Sequence, residues 1–328
     1  MLHVAIGPDR TPASLRLVEG PVPAPGPHDL LIDVAYAGVN RPDCSQRAGS
    51  YPPPPGASPI MGLEVSGHVA AFGEEVSGWQ LGQSVCALVN GGGYAEQCIV
   101  PATQALPVPE GVSLEHAAGI PENWFTVWAN LTLQGRLVRG ERLLVHGGAS
   151  GIGLAALQLA RLRHAQAYAT VGDAGKAALA REFGAAAAID YRTEDFAARI
   201  VELTHGQGVD VILDMVAGSY INREVPLLRR DGRLVFIAFQ QGARADFDFG
   251  LVLRNRLVIT GSTMRPRTTA EKRQIRDGLL NEVWPAFARG ELRVHVHAVL
   301  PLREAGEAHR LMESGAHSGK IILAVRPA

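Results

Sequence analysis

The stretch Val145–Leu162 reads VHGGASGIGLAALQLARL. The apolar run Arg142–Val145 leads into it, glycines interrupt it, and apolar residues at helical spacing follow. That order predicts a buried strand, a tight turn and an amphipathic helix over Ile152–Leu162. Gly148, Gly151 and Gly153 fall where strand becomes helix. Glycine meets three demands there: a tight turn, backbone approach to a pyrophosphate, and close packing of helix on sheet. The helix start, Gly151 and Ile152, would offer free N–H groups to phosphate. The spacing is G-x-x-G-x-G, with Ser150 where the usual fingerprint has its middle glycine. Glycines alone are weak evidence, since any strand–helix turn can carry them.

Five further strand patterns follow downstream: AYATV (167–171), AAAAID (185–190), VDVILDMV (209–216), GRLVFIAF (232–239) and RLVITGS (256–262). Helical patterns over Lys176–Phe183 and Glu194–Thr204 separate the first of them. Strands alternating with helices predict a doubly wound parallel sheet, a Rossmann arrangement. A long helix is expected over Thr269–Gly290. A strand (Arg293–Leu300), a helix (Arg303–Glu313) and a strand (Lys320–Val325) follow it and are expected to return to the first domain.

Upstream the chain is different. LLIDVAYAGVN, EVSGHVAAFG, GQSVCALV and YAEQCIV are short apolar runs broken by turn residues, which predicts a loop-rich, barrel-like β domain. Between them, YPPPPGAS (Tyr51–Ser58) is a stiff loop, because its four prolines fix φ and lack N–H donors. The expected organisation is a β-rich catalytic domain over 1–120 and 284–328, with a dinucleotide-binding domain over 121–283. The fold class is α/β.

Bulk properties narrow the function. The 328 residues carry 31 basic and 32 acidic side chains, a net charge of −1, so no basic surface points to nucleic acid. No apolar run reaches the length of a membrane span, and the start MLHVAIGPDR lacks the form of a signal peptide. Three scattered cysteines, Cys44, Cys86 and Cys98, suggest neither disulfides nor a zinc cluster. A reduced, cytoplasmic protein is expected. A short-chain reductase would carry Tyr-x-x-x-Lys after its glycines, but the residues four beyond Tyr168, Tyr191 and Tyr220 are Gly172, Asp195 and Glu224.

A mid-chain glycine turn behind a β domain resembles the medium-chain dehydrogenase/reductase superfamily. In its zinc alcohol dehydrogenases a Cys and a Gly-His-Glu motif hold the catalytic metal. The matching positions here are Asn40 in GVN and Gly62-Leu63-Glu64, and leucine cannot ligate zinc. His68 lies nearby in a strand pattern and is expected to be structural. No metal is expected. The stretches AGVNRPDCSQRAGSYPPPPGAS, GLEVSGHV, HGGASGIG and GVDVILDMVAGSY resemble the zinc-independent quinone oxidoreductases, most of all their p53-inducible branch. The resemblance spans nearly the whole chain and implies a GroES-like first domain, a homodimer, and Asn40 and Tyr51 facing nicotinamide and substrate. Thr126, Ser150 and Phe239 would line the nicotinamide channel.

The end of the second strand selects the cofactor, an acid favouring NADH and a base NADPH. Gly172 leaves room there, and the resemblance implies that Lys176 and Tyr191 contact a 2′-phosphate. Asp173 would oppose that phosphate unless turned to water. NADPH is the expected cofactor. The missing metal also bears on the acceptor. A ketone would become an alkoxide, whose conjugate acid has a pKa near 16; a quinone becomes a phenolate, nearer 10. The difference, about six pKa units, is on the order of 8 kcal/mol of charge stabilisation that needs no metal. A small quinone is therefore the expected substrate. The alternatives are an alkenal or enone double-bond reductase, or a non-catalytic NADPH-binding structural or RNA-binding relative. No general acid stands out.

Overall fold

The computed structural model describes residues 1–326. Its strands are β1 (Leu2–Ala5), β2 (Arg16–Glu19), β3 (Asp29–Val39), β4 (Glu64–Phe72), β5 (Ser84–Leu88), β6 (Gln97–Pro101), β7 (Ala105–Pro107), β8 (Arg142–Val145), β9 (Gln166–Val171), β10 (Ala185–Asp190), β11 (Val209–Asp214), β12 (Leu228–Phe236), β13 (Val258–Gly261), β14 (Val296–Pro301) and β15 (Lys320–Ala324). The chain divides into two compact units, Met1–Phe125 with Arg265–Ala328, and Thr126–Met264.

The second unit holds a six-stranded parallel sheet in the order β10-β9-β8-β11-β12-β13. Read by strand number within the unit, this is 3-2-1-4-5-6, the doubly wound order of dinucleotide-binding folds. β8 and β11 are central and buried on both faces, which suits their largely apolar sequences RLLV and VDVILD. The glycine turn follows β8, and its helix runs Gly151–Leu162.

In the first unit β3 is long and bent, and it pairs with β4, β6 and β15. The seven-stranded sheet runs β14-β15-β3-β4-β5-β7, with β6 paired to β3 off that path. The tail strands β14 and β15 thus return to the first unit's sheet. Val34, Val65, Val85, Val100 and Ile321 are buried in its core.

The long helix lies where expected but is not divided between the domains. Its helical turns run from Thr269 to Ala288, with one wide turn over Leu279–Val283. It belongs to the first unit, so the expected boundary at 283 moves to 264 and that at 120 to 125. The reason is visible in its bonds. Lys272 Nζ donates to Asn90 Oδ1 (2.6 Å), Arg276 Nε to the Ala105 carbonyl (3.2 Å) and Trp284 Nε1 to the Pro107 carbonyl (2.7 Å). Among the described residues no helix is long and apolar enough to cross a membrane.

Candidate functional site

In the second unit the glycine turn is built so that side chains cannot enter it. A Cβ on Gly148 would lie 2.4 Å from the Ala169 Cβ, and one on Gly153 would lie 2.4 Å from the Gly147 carbonyl oxygen. Ser150 is the N-cap: its hydroxyl accepts from Gly153 N–H (3.0 Å). The N–H groups of Gly151 and Ile152, ahead of that capped donor, stand at the positive end of a twelve-residue helix. This cradle fits the pyrophosphate of a dinucleotide.

Two of the three residues expected at the adenosine end, Gly172 and Tyr191, come together. A Cβ on Gly172 would lie 3.0 Å from the Tyr191 hydroxyl and 3.5 Å from Arg192 Nε. Arg192 is exposed and is not legible as a site residue in the sequence, although it follows Tyr191 directly. Lys176 sits on the next helix. Asp173 is exposed to water and is also engaged by its own helix. It caps that helix, accepting from Lys176 N–H (2.8 Å), and its other oxygen lies 3.8 Å from the Lys176 ammonium. The carboxylate thus remains beside the lysine, partly offsetting its charge. Thr126 opens the unit, and its carbonyl accepts from Asn130 Nδ2 (2.8 Å). Phe239 is exposed in the loop after β12, tilted against Phe236.

Beneath the turn lies a polar group that sequence reading missed. His146, the residue after β8, is fully buried, with Nε2 2.8 Å from Glu224 Oε1 and Nδ1 2.9 Å from Thr170 Oγ1. Burial holds the imidazole neutral, at about 4, and raises Glu224 to about 8. Glu224 is then a carboxylic acid that can donate to His146. Asp214 completes the group and accepts from the N–H groups of Val216 (2.6 Å) and Ala217 (2.8 Å). It thereby holds Ala217 at φ 60°, ψ −146°, a conformation close to glycine-only.

In the first unit Asn40 caps the helix Arg41–Ala48, and Asp43 accepts from its N–H (2.8 Å). The Asn40 side chain is 6% exposed and already engaged. Its oxygen accepts from Lys320 Nζ (2.7 Å) and its Nδ2 donates to Glu64 Oε1 (2.9 Å). Lys320 also donates to Glu64 Oε1 (2.5 Å). An ammonium can only donate, so the amide oxygen must be the atom that faces it. Glu64 Oε2 accepts from Glu122 N–H (2.9 Å). Gly38 permits this closeness, since a Cβ there would meet Glu64 Oε1 at 2.2 Å.

Tyr51 is half-buried in the proline loop. The Arg265 guanidinium lies 5.4 Å from its ring centroid, and Arg265 Nη1 donates to the Tyr51 carbonyl (3.4 Å). Burial, and then the Glu122 charge, raise its phenol above the ordinary value, so it stays protonated as a donor. His68 lies on β4 with Nδ1 against the Gly82 carbonyl (3.2 Å), a structural contact.

Comparison with known proteins gives the lineage. Residues 26–110 match the family described as "Alcohol dehydrogenase GroES-like domain", and residues 183–323 match "Zinc-binding dehydrogenase". The zinc implied by the second description does not fit. At the matching positions Asn40 and Glu64 close on the Lys320 ammonium, and Leu63 is a buried aliphatic. A phenolphthiocerol/phthiocerol polyketide synthase from Mycobacterium tuberculosis is 32% identical over 98% of this chain. The chain spans 15% of that protein's length. A probable quinone oxidoreductase of Schizosaccharomyces pombe is 29% identical over 94% of this chain and 92% of its own length. Among solved structures, Escherichia coli quinone oxidoreductase complexed with NADPH superposes at TM-score 0.87, with 29% identity and 99% and 100% of the two chains covered. A mycobacterial quinone oxidoreductase is 30% identical over 99% and 100%, TM-score 0.84. CurK enoyl reductase is 25% identical over 98% of both chains, TM-score 0.85. With residues 26–110 and 183–323 matched to these families and a mycobacterial quinone oxidoreductase 30% identical over 99% of this chain, the chain belongs to the quinone oxidoreductase-like oxidoreductases of the medium-chain dehydrogenase/reductase superfamily.

Proposed function

We propose that this chain is a zinc-independent, NADPH-dependent reductase of small quinones. The observation that carries the reading is the closure of Asn40 and Glu64 on Lys320, with Leu63 beside them, where zinc relatives have metal ligands. An acceptor whose reduced form is a phenolate suits such a site, because its anion needs about 8 kcal/mol less stabilisation than an alkoxide.

Bound NADPH supplies the hydride. In this reading Gly151 and Ile152 N–H groups hold the pyrophosphate, while Lys176, Tyr191 and Arg192 hold the 2′-phosphate. Gly148 and Gly153 keep the turn bare, and Gly172 keeps the approach to Tyr191 open. Ser150, Thr126 and Phe239 line the nicotinamide side. Lys320 and Glu64 fix Asn40, whose Nδ2 also donates to the Gly38 carbonyl (3.5 Å). Tyr51 donates to the acceptor oxygen as charge develops there. The sequence likeness extends the reading to a cytoplasmic homodimer.

NADPH oxidation with purified protein tests it, using a panel of small quinones, enones and simple ketones. Turnover is expected with quinones and absent with ketones. A second reading, reduction of a conjugated C=C bond, is favoured by the similarity to CurK enoyl reductase. Faster turnover of enones than of quinones would establish it.

A further inference from the structure

His146 stands between β8 and the glycine turn, with a fully buried side chain. Three bonds leave it. Its backbone N–H donates to the Leu213 carbonyl of β11 (3.1 Å). Its Nδ1 meets Thr170 Oγ1 (2.9 Å), and its Nε2 meets Glu224 Oε1 (2.8 Å). A hydroxyl donates or accepts, and so does a carboxylic acid, so both ring bonds are made whichever nitrogen carries the hydrogen. The rings of Phe196 and Tyr220 pack edge-on against the imidazole, at 5.0 and 5.4 Å between centroids.

Thr170, buried near the end of β9, answers with its backbone as well. Its carbonyl accepts from Gly148 N–H (2.8 Å), inside the turn. The turn and the end of β9 are therefore joined twice through one residue, once by a side chain and once by backbone. The next carbonyl, of Val171, accepts from Tyr191 N–H (3.1 Å), and a Cβ on Gly172 would meet the Tyr191 hydroxyl. The same short strand end thus adjoins the pyrophosphate cradle on one side and Tyr191 on the other. Holding the sheet together does not require this. Apolar side chains of the same shape would do so without the cost of burying polar groups. What they would not do is fix the turn to the strand end.

We propose that His146 is a positioning residue of the cofactor site: through Thr170 it holds the glycine turn and the end of β9 in one register, so that NADPH meets its pyrophosphate and 2′-phosphate partners together. The inference rests on the NADPH placement proposed above. A ligand that spans two anchor points gains from the second only when the spacing matches. Loss of register should weaken the whole dinucleotide and spare a fragment that reaches one anchor.

The test uses two amides, each keeping half of the imidazole's bonding. In His146→Asn the amide takes the place of Nδ1 and keeps Thr170. In His146→Gln it reaches the place of Nε2 and keeps Glu224. Each loses one buried bond, so a merely structural role predicts like effects from both. Melting temperature, NADPH affinity by isothermal titration and 2′-AMP affinity by NMR titration are measured on wild type and both variants. 2′-AMP reaches the Gly172 end alone. His146→Asn should bind NADPH within about threefold of wild type, and His146→Gln roughly tenfold more weakly, the worth of about one hydrogen bond. 2′-AMP affinity should stay level in both. Equal NADPH losses in the two variants, no loss in His146→Gln, or a matching loss of 2′-AMP overturns the inference alone. Should either variant fail to fold, Thr170→Val decides, since it deletes the hydroxyl and keeps the carbonyl that holds Gly148. Weaker NADPH with level 2′-AMP supports the inference there, and unchanged NADPH overturns it. A wild type that does not bind NADPH overturns the cofactor placement and this inference with it.

Discussion

The Lys320 ammonium lies 2.7 Å from the side-chain oxygen of Asn40, a residue 280 positions earlier in the chain. Both are buried, and Glu64, fully buried, shares the same ammonium. The lysine neutralises a carboxylate that would otherwise stand alone in the core. It also orients an amide that would otherwise be free to flip.

Lys320→Met should therefore do more than remove a bond. It leaves a buried carboxylate unpaired, which costs about 3–5 kcal/mol. Denaturant unfolding measures this. Adding Glu64→Gln should recover much of the loss, because the amide oxygen can accept from Glu122 N–H while its NH2 donates to the oxygen of a flipped Asn40, without the charge. A double-mutant cycle with no coupling would show that the two groups act independently.

Asp173 is a cap and a competing charge at once. Asp173→Ser keeps the cap, since serine serves equally well there, and removes a carboxylate beside Lys176. NADPH affinity should rise several-fold and NADH affinity should stay level. Lys176→Ala and Arg192→Ala should each weaken NADPH by about 1.5–3 kcal/mol, the range for bonds to charged groups. Isothermal titration with both nucleotides reads the difference, and equal losses for both would point to a structural role.

Tyr51→Phe should lower kcat by roughly tenfold to several hundredfold, up to the range for one lost oxyanion donor. NADPH affinity should hardly change. A silent Phe variant combined with a raised KM in Tyr51→Ala would instead indicate a stacking role for the ring.

Ala217 occupies backbone space that costs a residue with a Cβ about 1–3 kcal/mol. Ala217→Gly relieves it and gives back about 0.5–1 kcal/mol in unfolded-state entropy. A net gain of about 1 kcal/mol is expected in thermal unfolding, and Ala217→Val should lose stability.

The parallel sheet is legible in the sequence because its signal is local: each strand is a short apolar run, and the glycine turn marks where the first one ends. Lys320 is not legible as part of the site. It sits at the start of an ordinary strand pattern, and only the pairing of β15 with β3 brings it to Asn40. Asp173 reads as a charge in the sequence and is also a cap in the fold. The boundary expected at 283 cuts through the long helix, because alternation along the chain says nothing of which strands a helix bonds to.

The route of the chain has a consequence for biosynthesis. The second unit is one uninterrupted segment, 126–264, while the first is split around it. As the chain leaves the ribosome, Glu64 emerges long before its counter-ion, and β3 waits for β15 until the nucleotide-binding segment has been made. The nucleotide-binding segment can therefore fold during synthesis, while the first unit's site can be charge-balanced only once residue 320 has been made. A nascent chain stalled before residue 320 would carry a bare acid among apolar side chains, an open invitation to the cell's quality-control proteases.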